Sequence, residues 1–374
     1  MKFHLVILLL LFTLPSFAET LEPIATLHDY TLWSASDGQA LVAEQYDNER
    51  YLHNLFIYAV DGEGQWQLYD LGITNVYYYS ASIYKKILYI STRETSTALP
   101  VLSVYDVHHP NNPKLVQRLD NFFGLPGGSF ISDEWALIYS QKKIRLYRRN
   151  QDGSLLFHSD IPSKYPRWLT NDYLILMENP DLFLHPEFEI YRLTNEGAQL
   201  LHKIDLELPE IDDIWCGFVI EPLIYLRDMI IFMPGWACVK PEPEIEIPKS
   251  NLFIPNQIKD DLALGFVHQP FSSDYQIEYR RLGDSQKSNV GILGASRNLL
   301  IADSVVGKLV IFSERDGEFT PVVEVSREYP FCLDEDFLYV ERKINISDGN
   351  TNTIEIYQLP EVPTSHTSSF NHYE

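Results

Sequence analysis

Two stretches of this chain run in register. Tyr165-Pro-Arg-Trp-Leu-Thr-Asn-Asp-Tyr-Leu-Ile-Leu176 and Tyr329-Pro-Phe-Cys-Leu-Asp-Glu-Asp-Phe-Leu-Tyr-Val340 share Tyr-Pro, Leu and Asp at the same offsets. In each, an apolar strand follows the Asp. A second matching strand comes later, Glu189-Ile-Tyr-Arg-Leu193 and Glu355-Ile-Tyr-Gln-Leu359. The same apolar-x-apolar-Tyr strand recurs as Leu55-Phe-Ile-Tyr58, Leu102-Ser-Val-Tyr105, Ile144-Arg-Leu-Tyr147 and, with Phe, Leu309-Val-Ile-Phe312. Tyr58, Tyr105, Tyr147 and Tyr191 lie 47, 42 and 44 residues apart, and Phe312 and Tyr357 lie 45 apart.

A period in the forties with about four short strands per unit fits one propeller blade. A lone four-stranded sheet cannot bury two apolar faces; stacking blades around an axis covers both and shields the edges. The expected fold is therefore all-β, a seven-bladed β-propeller of four-stranded antiparallel blades. The alternative is a pair of β-sandwich domains. The blades run over about Tyr30–Gly72, Val76–Asp120, Gly124–Ile161, Tyr165–Leu206, Ile211–Gly283, Asn289–Val325 and from Tyr329 onward. The last lacks an obvious outer strand. Glu22-Pro-Ile-Ala-Thr-Leu27 could supply it, closing the ring with the two chain ends. The composition agrees: aromatics are 13% of the chain, and short alternating runs replace any long helical periodicity.

The first 18 residues read as a signal peptide: Lys2, an apolar run from Leu5 to Leu14, then Ser16-Phe17-Ala18 before a cleavage point at Glu19. No run has the length of a membrane span. The remaining residues 19–362 read as one propeller domain, and 363–374, rich in Ser, Thr and His, as a disordered tail. The product is expected in the periplasm or secreted, as a monomer. A net charge of −23 argues against nucleic acid as a partner. With three cysteines the core must hold the fold. Cys216 and Cys238 flank one hairpin and are the expected disulfide; Cys332 aligns with Trp168 as a core residue.

At one place the chain resembles a named family. Leu102-Ser-Val-Tyr-Asp-Val107, then His-His-Pro110 and Asn-Asn-Pro-Lys-Leu-Val116, is similar to the LVIVD repeat of secreted β-propellers. The resemblance spans one blade, residues 102–116, and implies an extracytoplasmic propeller without implying an activity.

No catalytic signature is present: no Gly-x-Ser-x-Gly, no His-Glu-x-x-His and no phosphate-cradling Gly-rich loop. Asp37, Asp133, Asp172, Asp228 and Asp336 precede the second strands and read as turn caps, with a cation-binding ring as the rival. No cofactor and no metal ligand set are expected, although a divalent cation such as calcium would suit the charge. The connections between blades carry aromatics able to stack on a ligand, among them Tyr165, Trp168 and Tyr329. Asp212, Asp213 and Trp215 precede the fifth blade, whose insertion at about 234–261 includes Trp236. These seven residues are the candidate ligand-binding set. The expected function is a binding or scaffold protein outside the cytoplasm, using a propeller face for a protein or glycan. The alternative is a hydrolase or lyase acting on an extracellular polymer through carboxylates at the channel mouth.

Overall fold

A computed structural model describes residues 19–360 apart from 38–39, 48, 121–129, 141–142, 162–164, 178–186, 206–214, 227–228, 240–263, 281–290, 297–298, 305–307, 316–317, 327–330, 334–336 and 347–348. The strands are β1 (Glu19–Thr20), β2 (Ala25–His28), β3 (Thr31–Asp37), β4 (Ala40–Asp47), β5 (Leu52–Val60), β6 (Trp66–Val76), β7 (Tyr78–Tyr84), β8 (Ile87–Arg93), β9 (Val101–Asp106), β10 (Lys114–Asp120), β11 (Trp135–Ser140), β12 (Lys143–Arg149), β13 (Leu155–Ile161) and β14 (Tyr165–Leu169). They continue as β15 (Tyr173–Met177), β16 (Glu187–Thr194), β17 (Gly197–Asp205), β18 (Trp215–Leu226), β19 (Met229–Val239), β20 (Leu264–His268), β21 (Gln276–Arg280), β22 (Gly291–Ser296), β23 (Leu299–Ser304), β24 (Lys308–Arg315), β25 (Glu318–Ser326), β26 (Phe331–Leu333), β27 (Phe337–Ile346) and β28 (Gly349–Gln358).

Among the described residues these strands form seven sheets, four of them antiparallel meanders of four consecutive strands. The first is β3–β6, the second β7–β10, the third β11–β13, the fourth β14–β17 and the fifth β18–β21. The sixth is β22–β25, with β1 added in parallel along β25. In the seventh, β26–β28 are joined by β2, which pairs antiparallel with β28 from Ala25↔Ile356 to His28↔Thr353.

The apolar runs that follow each turn owe their continuity to burial on both faces. Along β8, Ile87 and Tyr89 pack toward the third sheet, while Leu88 and Ile90 pack toward the first. Along β15, Leu174 and Leu176 face the third sheet, and Ile175 and Met177 the fifth. Along β27, Leu338 and Val340 face the sixth sheet, and Phe337 and Tyr339 the first. Successive side chains of a strand point to opposite faces, so a strand covered on both sides reads as one apolar run. Each of these sheets is packed by two different neighbours. Two-layer sandwiches cover only one face per sheet, so the sandwich alternative falls and the architecture is of propeller type.

The recurrent tyrosine has a constant task. Tyr58, Tyr105, Tyr147, Tyr191 and Tyr357 each pack in the core shared with the preceding sheet, Tyr58 doing so against the seventh. A second regularity is invisible in the sequence. Where the outer strand passes this residue, the ladder slips by one: at Val116, His158, Leu201 and Val322 in the second, third, fourth and sixth sheets. Such bulges increase local twist, which turns the outer strand away from flat edge-to-edge pairing.

Residues 101–120 form β9, a turn and β10. The Asp106 carboxylate accepts from the backbone N–H of His108 at 3.0 Å and lies 2.7 Å from His108 Nδ1. Partial burial works to raise the Asp106 pKa, but these bonds outweigh it and the net shift is downward. His108 and His109 therefore belong to a turn.

Candidate functional site

The candidate residues scatter. Asp212, Asp213 and Tyr329 lie outside the described residues. Tyr165 opens β14 opposite Met177. Trp168 sits opposite Ile175 and is half-buried against the core shared by the fourth and fifth sheets. Cys332 occupies the matching station, opposite Tyr339 in the seventh sheet. Trp215 and Trp236 fall together on one element.

That element is an extension of the fifth sheet. The insertion was expected from residue 234, but β19 continues as strand through Val239. Its partner β18 is 12 residues long. Beyond a register shift after Ile220, the ladder runs Ile220↔Pro234, Val219↔Gly235, Phe218↔Trp236, Gly217↔Ala237, Cys216↔Cys238 and Trp215↔Val239. The third strand, β20, pairs only with Met229–Phe232. Among the described residues, Trp215–Ile220 and Pro234–Val239 thus form a two-stranded ribbon about 17 Å long. Opposed residues share a face, so Cys216, Cys238, Phe218, Trp236, Ile220 and Pro234 lie on one face. Trp215, Val239, Gly217, Ala237, Val219 and Gly235 take the other. None of the 12 is charged, in a chain of which 22% is. The rest of the expected insertion, 240–261, lies outside the described residues.

Buried acids form a second group, which sequence reading missed. Glu44 on β4 lies 2.6 Å from Nδ1 of His53 on β5, and the Tyr46 ring packs on that histidine at 4.7 Å. Glu341 holds the station of Glu44 in the seventh sheet, where its carboxylate accepts the backbone N–H of Leu32 at 2.8 Å. That bond ties β27 to the innermost strand of the first sheet. Glu189 accepts from the Tyr191 hydroxyl at 2.8 Å and pairs with Lys203 at 3.1 Å. Burial first, and then the Glu189 carboxylate, push the Tyr191 pKa up to about 12. Glu355 repeats this arrangement: Tyr357 donates to it, and Arg342 approaches it at 2.6 Å. Burial, with Glu355 beside it, raises Tyr357 to about 12 as well. The Glu-x-Tyr spacing in Glu189-Ile-Tyr191 and Glu355-Ile-Tyr357 was the available signal, since residues two apart on a strand share a face.

These acids bind hydrogen-bond donors of the fold itself, and none stands on an innermost strand facing the axis. Of the turn aspartates, Asp133 is held by Lys85 of the neighbouring sheet at 2.5 Å, and that cation, the first cause, lowers its pKa. Asp228 and Asp336 lie outside the described residues. Among the described residues no group of three or more His, Cys, Asp or Glu could hold a metal ion. Nor is any helix among them long and apolar enough to cross a membrane.

No family model matches the sequence, and no curated protein matches it. Solved structures follow parts of its course. One, from a study of two prolyl endopeptidases, is 12% identical with a TM-score of 0.49 over 86% of this chain and 46% of that one, so this chain spans about half its length. BamB from Moraxella catarrhalis is 8% identical with a TM-score of 0.43, over 91% of this chain and 100% of that one. Hydrazine synthase from Kuenenia stuttgartiensis is 9% identical with a TM-score of 0.48, over 91% and 98%. All three scores lie below 0.5.

Proposed function

We propose that this chain is an exported binding protein: a seven-bladed propeller spanning residues 19–362, closed by its two chain ends, that engages a protein or glycan through the ribbon of its fifth blade. Closure is supported by the pairing of β2 with β28 and by the position of β26 beside β3. The core shared by Leu32, Leu41 and Tyr58 with Phe337, Tyr339 and Ile356 supports it too. Export is supported by the leader read at residues 1–18, with the periplasm or the exterior as destination.

The carrying observation is the ribbon. Twelve uncharged residues, three of them Trp or Phe, continue past the last station at which a third strand pairs among the described residues. A two-stranded ribbon is marginal in water alone, and aromatic anchors are what binding surfaces concentrate. The buried acids support a binding rather than a hydrolytic task, because each serves a bond within or between sheets.

The test is quantitative capture from a native envelope extract by the full-length protein and by a Phe218→Ser, Trp236→Ser double variant with unchanged circular dichroism. A bound protein or polysaccharide should be retained roughly tenfold less by the variant. Equal retention by both proteins contradicts the ribbon as the binding element.

A further inference from the structure

We infer that Cys216 and Cys238 form a cross-strand disulfide that fastens the ribbon, so that its order depends on thiol redox state. The inference rests on the ribbon's geometry, and its chemistry is independent of any partner. The ladder sets the two residues directly opposite each other, one station from the end of the paired segment. Opposed residues of an antiparallel pair have Cα atoms about 4.5–5.5 Å apart. A disulfide spans Cα separations of about 4.4–6.8 Å, so the backbone need not move to accept one. Cys332 is no competitor, because it lies in β26 of the seventh sheet, opposite Tyr339.

The position fits the need. β20 supports β19 only as far as Phe232, so the segment from Pro234 to Val239 has β18 as its sole strand partner among the described residues. A bond near its open end restrains a ladder that is marginal without one. The oxidant is a small-molecule or protein disulfide. One thiolate attacks it to give a mixed disulfide and release one thiol. The second cysteine then displaces the other thiol, so that two electrons and two protons pass to the acceptor as two thiols.

The full chain is treated in its native state with oxidised glutathione, alkylated in denaturant without reductant, and mapped by peptide mass. One alkylated cysteine, Cys332, with the Cys216 and Cys238 peptides joined, is the expected result. Three alkylated cysteines, or a bond that includes Cys332, overturn the inference. Fastening has a separate readout: reduction should speed proteolysis within residues 215–239 several-fold and leave the other sheets unaffected, and an unchanged rate there overturns it. A protein that passes both while binding no partner keeps the disulfide and loses only the proposed function.

Discussion

Gly265→Ala should destabilise the protein by about 3 kcal/mol, the upper part of the usual overpacking range. Gly265 on β20 stands directly opposite Phe232 on β19, and the Phe232 ring lies over it. A Cβ at Gly265 would come within 2.1 Å of the ring's Cζ and 2.5 Å of both Cε atoms. Phe232 is fully buried in the core between the fourth and fifth sheets, edge-on to Phe188 at 5.8 Å. Adding Phe232→Leu should recover part of the loss, because the smaller side chain vacates the space. Denaturant melts of the two variants check this. A double variant less stable than Gly265→Ala alone would contradict the clash.

Tyr339→Ala should cost about 4 kcal/mol, as for other large aromatic residues removed from a core. Tyr339 is fully buried although its strand belongs to the last sheet, and much of what covers it belongs to the first. Leu32, Leu41 and Tyr58 share its core, and the Trp66 ring lies 6.2 Å away, edge-on. Tyr89, at the same station of the second sheet, is also fully buried and provides the comparison. Equal losses at the two positions are the expected equilibrium-unfolding result. If Tyr339→Ala cost under about 1 kcal/mol while Tyr89→Ala cost the full core value, the seventh sheet would not be packed on the first.

The repeat was legible because its marker has one physical task in every sheet where it is described. A tyrosine that packs back on the preceding sheet cannot vary freely, so Tyr58, Tyr105, Tyr147 and Tyr191 kept the period readable. The outer-strand bulge recurs in four sheets but asks only for an extra residue. Val116, Leu201 and Val322 are ordinary aliphatic residues and His158 is not, so no distinctive residue marks the bulge.

The ribbon was misread for a related reason. Clear alternation ends after Met233, and Pro234-Gly235 is a pair that ordinarily breaks a strand. Past Phe232, however, β19 has one strand neighbour among the described residues, so no third strand there requires the N–H that Pro234 lacks. The His53–Glu44 pair left no repeat to follow. Of the four candidate ligand residues among the described ones, Tyr165 and Trp168 share β14, and Trp215 and Trp236 meet on the ribbon of the fifth sheet.

The ribbon's proposed task presupposes a ring that its own ends hold shut, and amide hydrogen exchange of the full-length protein tests that most directly. The account predicts that peptides covering Ala25–His28 and Thr353–Ile356 exchange together and as slowly as those around Leu88 and Ile90, protected to the level of global unfolding. Exchange of Ala25–His28 within seconds, at the rate of an unpaired terminus, while Leu88 and Ile90 stay protected, would contradict a ring closed by its two ends.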